Sequence, residues 1–336
     1  MNNDVQTQTG SIPFNSADRN LGVLVGYDGS EHAQLALFYA ARAAQRRNTV
    51  LTVVTAFAIP AMVHTAMIGV PDIPEEQLKR QVAESSLEEA RELLTGYPGE
   101  VIYRAEQGDA SGVLVDLSAS AELVVVGARG RGGFLGRILG SVATALPSHA
   151  KCPTVVVPRE YQSEISGEGA ERFDPVASDA PVVVGVEGSS FSRVAALHAA
   201  RAAADRGVAL RMVMALPPLD GALMWYPELA PREDRVAERR KASLAKALEA
   251  EVTWLTGHYP GLEVIPSVEE GDPVTVLHQA TKTAQLTVVG THGRNSLVSA
   301  LIGSVARGAL IRAEGPVMIV PRLEDARLQN QPHFTG

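Results

Sequence analysis

An internal duplication with a period of about 160 residues dictates the architecture of this chain. The peptide AARAA occurs at Ala40–Ala44 and again at Ala199–Ala203. A glycine motif that follows a Val-rich run begins at Gly127 and is repeated from Gly290 with the same spacing. The period is far longer than the roughly 20–50 residues of solenoid repeats. The chain is therefore predicted to contain two copies of one domain.

Composition defines the copies and the segments around them. The first copy spans residues 21–159 and the second spans 181–322, and a chain of 336 residues has room for two ordinary domains. Residues 160–180 are polar and rich in Gly, Pro, Ser and Glu, which indicates a linker. Residues 1–20 and 323–336 are expected to be flexible tails.

Each copy alternates short apolar runs with segments of helical periodicity. In the first copy the expected strands are LGVLVGY, VLTVVTAF, residues 100–106, ELVVVG and PTVVVP. After the first strand, Ala33, Ala36 and Leu37 begin the i, i+3, i+4 pattern of one helix face. Strands made almost wholly of Val, Leu and Ile are typical of a parallel sheet buried on both faces. The pattern predicts the α/β class, with two tandem doubly wound domains that each contain a five-stranded parallel sheet flanked by helices.

Charge and composition exclude several classes of protein. The 30 Lys and Arg against 38 Asp and Glu give a net charge of −8, which argues against a general nucleic-acid or membrane-surface binder. No apolar run approaches the roughly 20 residues that span a bilayer, and residues 1–20 lack the basic and apolar regions of a signal peptide. The single cysteine, Cys152, cannot form an intrachain disulfide. We therefore expect a cytoplasmic protein with no membrane span and no nucleic-acid partner.

The ends of the first and fourth strands form the expected ligand site. In open α/β sheets, ligands bind beyond the carboxyl ends of the strands, where the strand order reverses. In the common five-stranded arrangement this point lies beside the first strand, which here ends in GYDGS, and the fourth strand ends at Gly127. Asp28 is therefore expected to face a glycine loop across a crevice.

The glycine loop has the features of an anion site. It reads Gly127-x-x-Gly130, then nine residues, then Gly140-Ser141, and glycine lets backbone N–H groups approach a phosphate without a Cβ in the way. Ser141, like Ser304 in the second copy, suits the N-cap of a helix whose N-terminus attracts anions. Neither a GxxxxGK[ST] loop nor a GxGxxG fingerprint is present. The residues alone predict an anion or nucleotide crevice, and a turn with a purely structural role is the alternative.

The combined motifs resemble the universal stress protein family, in the tandem form common in actinobacteria. Each copy carries G-x2-G-x9-G-S after a Val-rich strand, and a closing strand similar to P-V-x-V-V-P. The first copy opens with V-G-x-D-G-S. The resemblance covers the chain except for the tails and the linker. It implies a Rossmann-like fold that binds ATP, often as a dimer, with a signalling or stress-survival role.

The resemblance also implies a set of ATP contacts in each domain. Asp28 would contact the nucleoside end, Ala56 would offer backbone groups to adenine, and the glycine loop would wrap the ribose and phosphates. The residues expected at the first site are Gly26, Asp28, Ala56, Gly127, Gly130, Arg131, Gly140, Ser141 and Val142. Those expected at the second site are Gly185, Glu187, Ala215, Gly290, Gly293, Arg294, Gly303, Ser304 and Val305.

One site residue differs between the copies. Glu187 stands where the first copy has Asp28. Glutamate still accepts hydrogen bonds, but the extra methylene moves its carboxylate outward by about 1.5 Å. We expect both sites to bind ATP and the first to bind it more securely.

These expectations describe an ATP-binding regulatory protein rather than an enzyme. Nucleotide occupancy would control conformation or partner binding, and the partners would be ATP, a second copy in a homodimer and an unidentified protein. No catalytic or metal-ligating set stands out, so magnesium would arrive with ATP and hydrolysis would be weak. One alternative is a slow ATP hydrolase or an enzyme of the related nucleotide α-hydrolase group. Another is a structural interaction module with vestigial crevices.

Overall fold

The computed structural model describes residues 11–58, 75–131, 139–164, 169–174, 178–218, 230–293 and 302–330. The chain divides into two compact units. Asn15–Ala177 form one unit, and Met1–Phe14 together with Ser178–Gly336 form the other. Each unit contains one copy of the duplicated domain.

The first unit is built on five parallel strands flanked by helices. The strands run in the order β3-β2-β1-β4-β5, and every neighbouring pair is parallel. The strands are β1 (Val23–Gly26), β2 (Leu51–Phe57), β3 (Val101–Gln107), β4 (Leu123–Gly127) and β5 (Thr154–Val157). The helices are α1 (Glu31–Arg47), α2 (Glu75–Leu93), α3 (Ala110–Leu117) and α4 (Ser141–His149).

The central strands are apolar throughout because helices cover the sheet. Val25 of β1 lies between Val53 of β2 and Val125 of β4, and all three side chains are fully buried. The helix after β1 starts where Ser30 caps it, since the Ser30 hydroxyl accepts a hydrogen bond of 3.2 Å from the Ala33 N–H. These local signals place the start of α1 directly beyond the end of β1.

The second unit repeats this arrangement. Its strands run in the order β8-β7-β6-β9-β10, again all parallel. They are β6 (Val182–Gly185), β7 (Leu210–Leu216), β8 (Val264–Glu270), β9 (Leu286–Gly290) and β10 (Val317–Val320). The helices are α5 (Ser190–Ala204), α6 (Ala230–His258), α7 (Pro273–Thr281) and α8 (Ser304–Arg312). The predicted class, two tandem α/β domains with five-stranded parallel sheets, is confirmed.

Helix α6 is long but strongly charged. It contains 29 residues and packs on β7 and β8 through buried side chains that include Leu248 and Leu255. Its remaining surface is rich in Arg, Lys and Glu. Among the described residues, no helix combines the length and the hydropathy that a membrane crossing requires.

Part of the segment after β5, which the sequence indicates as a linker, packs on the first unit. Short 3-10 helices form at Arg159–Glu164 and Gly169–Phe173. The Phe173 side chain is fully buried, with its ring centroid 6.0 Å from that of Phe38 and 5.2 Å from that of Tyr97. Phe173 thus anchors a stretch whose overall composition is polar.

The second unit gains a similar addition from residues near the two ends of the chain. Ile12 forms a parallel β-bridge with Leu323, and the Ser11 hydroxyl donates a 2.9 Å hydrogen bond to the Glu324 carboxylate. The ring of Phe14 meets His198 of α5 edge-on at 5.3 Å. Residues 11–14 therefore have defined contacts, although the sequence places them in a flexible tail.

Candidate functional site

The strand order places the ends of β1 and β4 side by side in the first unit. Val23 to Val25 of β1 pair with Leu123 to Val125 of β4. In the second unit β6 and β9 are neighbours in the same way. The predicted reversal of strand order at this point is confirmed in both domains, and parallel strands of this kind leave a crevice there.

Asp28 lies in the first crevice and links two of its walls. Its Oδ1 accepts hydrogen bonds from the backbone N–H of Ser30 at 3.0 Å and from the Ser30 hydroxyl at 2.6 Å. Its Oδ2 accepts a hydrogen bond of 2.9 Å from the backbone N–H of Arg131 in the glycine loop. The predicted juxtaposition of Asp28 and the glycine loop is confirmed.

Three glycines of the first crevice have close neighbours that exclude a side chain. A Cβ on Gly130 would lie 2.6 Å from the Asp28 carboxylate, and a Cβ on Gly127 would lie 2.6 Å from the backbone oxygen of His32. A Cβ on Gly26 would lie 2.9 Å from a methyl group of Leu114 on α3. Gly130 therefore keeps the loop next to Asp28, whereas Gly26 makes room for helix packing.

The N-cap of the helix after each glycine loop lies one residue before the serine that the sequence favoured. Gly140 and Gly303 are the N-caps, so the expectation that Ser141 and Ser304 would be the caps is wrong. The serines are the first helical residues and are exposed. Because glycine has no side-chain oxygen, neither N-cap makes a side-chain hydrogen bond to the first-turn N–H groups. Such N–H groups attract an anion.

The wall formed by α2 interacts with the glycine loop through Arg131. The Arg131 Nη2 donates a 3.3 Å hydrogen bond to the hydroxyl of Ser86, which is buried. Glu89, one turn further along α2, accepts a 3.1 Å hydrogen bond from the Gln34 amide. Arg131 Nη2 and Glu89 Oε2 both lie against Gly29, whose φ of 76° favours glycine. Arg131 is thus directed towards α2.

Two titratable side chains of the first crevice are held in their neutral forms. Burial and the nearby Glu89 carboxylate raise the pKa of the Tyr27 hydroxyl. Burial and the positive charge of Arg129 lower the pKa of His32 below its ordinary value. The charge of the crevice therefore comes from its carboxylates and arginines.

The remaining predicted residues of the first site lie around the same crevice. Ala56 is the penultimate residue of β2 and pairs with Glu106. Because β2 adjoins β1 on the side away from β4, Ala56 lies opposite the glycine loop. The Gly140 N–H donates a 2.9 Å hydrogen bond to the Ala128 oxygen, which closes the base of the loop. Val142 follows in the first turn of α4.

The second domain contains an open cleft of about 1340 Å³ at the corresponding place. Pockets of about 300–1,000 Å³ hold drug-sized ligands, so this cleft has room for a nucleotide. Every predicted residue of the second site that the structure describes lines it, namely Gly185, Glu187, Ala215, Gly290, Gly293, Gly303, Ser304 and Val305. Arg294, the remaining predicted contact, lies outside the described residues.

The acid and the glycine loop are further apart in this cleft. The Glu187 carboxylate accepts a short hydrogen bond from the Ser189 hydroxyl. A Cβ on Gly293 would be 3.8 Å from Glu187, which is an ordinary van der Waals distance. The Gly303 N–H donates a 2.8 Å hydrogen bond to the Thr291 oxygen and closes the base of the loop as in the first domain.

Sequence reasoning missed the contribution of α6 to this cleft. Arg240, Ser243, Ala247 and Ala250 line the cleft from α6, together with Lys246 beside them. The first four recur at intervals of three or four residues, so they share one face of the helix. That periodicity is visible in the sequence, but only the tertiary structure shows that this face of α6 borders the cleft.

Known proteins resemble this chain over nearly all of its length. A sequence profile of the universal stress protein family matches residues 22–158 and 180–321. Universal stress protein Rv1996 of Mycobacterium tuberculosis (strain ATCC 25618 / H37Rv) is 32% identical over 323 residues, covering 89% of this chain and 95% of that protein. Universal stress protein Rv2623 of the same strain is 33% identical over 316 residues, covering 91% and 98%. A solved universal stress protein from Archaeoglobus fulgidus DSM 4304 shares the fold, with a TM-score of 0.62, 17% identity, and coverage of 90% of this chain and 99% of that chain.

Proposed function

The chain belongs to the universal stress protein family, and from this premise and the crevice geometry we propose that it is an ATP-binding regulatory protein with one nucleotide site in each domain. The observation that carries the proposal is the start of α4 and of α8. At both places the N-cap beside the glycine loop is itself a glycine, which makes no side-chain hydrogen bond to the first-turn N–H groups. Backbone N–H groups and the helix dipole together favour a phosphate.

The residues around these helix starts fit the other parts of ATP. The phosphates of ATP would lie at Gly140 and Ser141 in the first domain and at Gly303 and Ser304 in the second. The strand-end carboxylates, Asp28 and Glu187, would accept hydrogen bonds from the nucleoside. Magnesium would enter with the triphosphate, whose charge it neutralises.

We place regulation rather than catalysis at these sites. The protein would act by preferring one conformation, or one set of homodimer and partner contacts, when nucleotide is bound. A cytoplasmic location would give it access to ATP. The enzymatic alternative requires product formation well above a trace level at the same crevice.

The test is the stoichiometry of bound nucleotide in the full chain and in charge variants. Ser141→Glu and Ser304→Glu place a carboxylate where a phosphate would bind, and glutamate is favourable in the first turn of a helix, so the fold is kept. Ser141→Gln and Ser304→Gln are the matched neutral controls. Heat denaturation of the purified protein followed by chromatography and mass spectrometry identifies any retained nucleotide, and equilibrium dialysis with ATP and magnesium counts the sites.

We expect about two ATP per chain, one in each single Glu variant and none in the double variant. The Gln variants are expected to retain both sites. Equal binding by Glu and Gln variants would place the nucleotide elsewhere. Absence of both retained nucleotide and saturable ATP binding would favour an interaction module with vestigial crevices.

A further inference from the structure

The cleft of the second domain has a basic wall far from the glycine loop. Arg240, which is half-buried, and Lys246, which is exposed, both line the cleft from α6. Neither side chain has an ion-pair or hydrogen-bond partner among the residues that the structure describes. Both cations are therefore available to an anionic ligand.

Two carboxylates near this wall are paired with other cations. Glu251 of α6 is buried and accepts a bidentate pair of hydrogen bonds from Arg193, at 2.9 Å from Nε to Oε2 and at 2.7 Å from Nη2 to Oε1. Glu270 is engaged by Lys241 at 3.2 Å. Within the described part of the chain, Glu187 is the one carboxylate that lines the cleft. Among the described lining residues, α6 therefore contributes two positive charges and no negative charge to the cleft.

The basic wall and the start of α8 lie at different ends of the cleft. The lining runs from Ala215 on β7, across β6, to Gly290 on β9. Neighbouring strands are about 4.8 Å apart, so β7 and β9 are separated by roughly 10 Å. Helix α6 packs on β7 and β8, whereas α8 follows β9 and packs on β10. The cleft consequently has two ends that attract anions.

We infer that the second cleft prefers nucleotides with phosphate groups at both ends. The helix α8 end would take the 5′-phosphates, and Arg240 and Lys246 would take a further phosphate carried at the 3′ position of the ribose. This inference rests on the proposed nucleotide site and adds the class of nucleotide. The volume of the cleft, about 1340 Å³, suits a ligand larger than a mononucleotide monophosphate.

The first domain provides an internal contrast for this pair of cations. Alignment of Leu94–Gly96 with Leu255–Gly257 places Lys79 opposite Arg240 and Ser85 opposite Lys246. A single cation therefore stands where the second domain has two. The same alignment places the Glu89 carboxylate opposite Ala250, so the two walls differ in charge. The preference for an added phosphate is expected in the second domain alone.

Titration calorimetry with AMP and with adenosine 3′,5′-bisphosphate tests the inference in the full chain. The Ser141→Glu variant is used so that the second site supplies the signal. We expect the bisphosphate to bind at least about 10-fold more tightly than AMP. In the Arg240→Ala/Lys246→Ala variant this difference is expected to disappear, while AMP binding changes by less than about 2-fold. Lys241→Ala is the matched control, because Lys241 is engaged by Glu270.

The possible outcomes separate this inference from the proposed function. Equal affinities for AMP and the bisphosphate would overturn the inference and leave nucleotide binding intact. A parallel loss of both ligands in the double variant would also overturn it, since α6 would then hold the 5′-phosphate. Binding of neither AMP, the bisphosphate nor ATP would overturn the inference together with the nucleotide site itself.

Discussion

The two domains share one fold and one glycine motif, but their crevices differ in how closely the loop is packed. A Cβ on Gly127 would lie 2.6 Å from its nearest neighbour, against 3.5 Å for Gly290. A Cβ on Gly130 would lie 2.6 Å from Asp28, whereas one on Gly293 would lie 3.8 Å from the corresponding glutamate. The same motif therefore serves as a tight contact in the first domain and borders an open cleft in the second.

The helix opposite the loop accounts for part of this difference. In the first domain Ser86 of α2 binds Arg131, and Glu89 lies beside it. The aligned residues of α6 are Ala247 and Ala250, which line the open cleft. Alanine cannot make the polar contacts that hold an arginine to the wall. A few side chains on one helix thus set the charge and access of a site whose backbone is conserved between the domains.

Removal of a buried charge is expected to give the largest difference between the domains in loss of folding stability. Glu251→Gln would leave the buried Arg193 guanidinium without its countercharge, which costs about 3–5 kcal/mol. Glu89→Gln would weaken one half-buried hydrogen bond from Gln34, which contributes about 1 kcal/mol. Urea unfolding combined with domain-resolved hydrogen exchange measures both changes. Equal losses of stability in the two variants would contradict this ranking.

Substitution of alanine for the first glycine of each loop is expected to give the next largest difference in stability. In Gly127→Ala the new methyl group would collide with the His32 backbone oxygen, and overpacking of this kind costs about 1–3 kcal/mol. Gly290→Ala meets nothing closer than 3.5 Å and is expected to cost less. Thermal unfolding of the two variants provides the comparison, with Gly112→Ala, where a Cβ meets nothing within 4 Å, as the control. Similar melting temperatures for Gly127→Ala and Gly290→Ala would show that the loops are equally tight.

Introducing into α6 the carboxylate that Glu89 provides in α2 is expected to change nucleotide affinity by several-fold. Ala250→Glu would place a carboxylate in the second cleft, where repulsion from the phosphates at high effective dielectric costs about 1 kcal/mol. ATP binding at the second site would weaken by about 5-fold, a conversion that follows from about 1.4 kcal/mol per factor of 10. Ala250→Gln separates charge from size. If both variants bind ATP equally, the wall charge has no part in affinity.

The length of the strand-end acid is expected to have a smaller effect. Glu187→Asp shortens the side chain to that of Asp28 and would tighten ATP binding at the second site by about 2- to 3-fold, within the fraction of a kcal/mol that repositioning one hydrogen bond can supply. The measurement is a titration of Glu187→Asp in the Ser141→Glu background. Unchanged affinity would show that the extra methylene does not weaken this site.

The smallest expected effect is the pH dependence that His32 contributes to the stability of the first domain. The pKa of His32 is lower in the folded chain than its ordinary value of 6.5, so the unfolded chain binds the proton first. This contribution to stability is complete above about pH 6.5 and decreases as the pH falls towards the folded pKa. Phe191 holds the aligned position in the second domain and does not titrate. Hydrogen exchange at about pH 7.5 and pH 5.5 should show a loss that His32→Gln reduces; an equal loss in that variant would assign the effect to another group.

The sequence was sufficient for the architecture and for the placement of Asp28. Runs of Val and Ile specify buried parallel strands, and the order of elements then brings the ends of β1 and β4 together. The N-cap was predicted at Ser141 instead of Gly140, because serine is the commoner cap. The α6 wall and the Phe173 anchor were missed because each depends on which distant side chains meet it. Local sequence patterns define the helices and strands, whereas the side chains that pack against them are known only from the tertiary structure.

The most direct test of the nucleotide site is a crystal structure of the full chain with ATP and magnesium. We predict phosphate oxygens within about 3 Å of backbone N–H groups in the first turns of α4 and α8, the distance of an ordinary hydrogen bond. We also predict the nucleoside between the loop and the strand-end acids Asp28 and Glu187. ATP bound away from both helix starts would contradict the account, because the glycine loops would then serve only as turns.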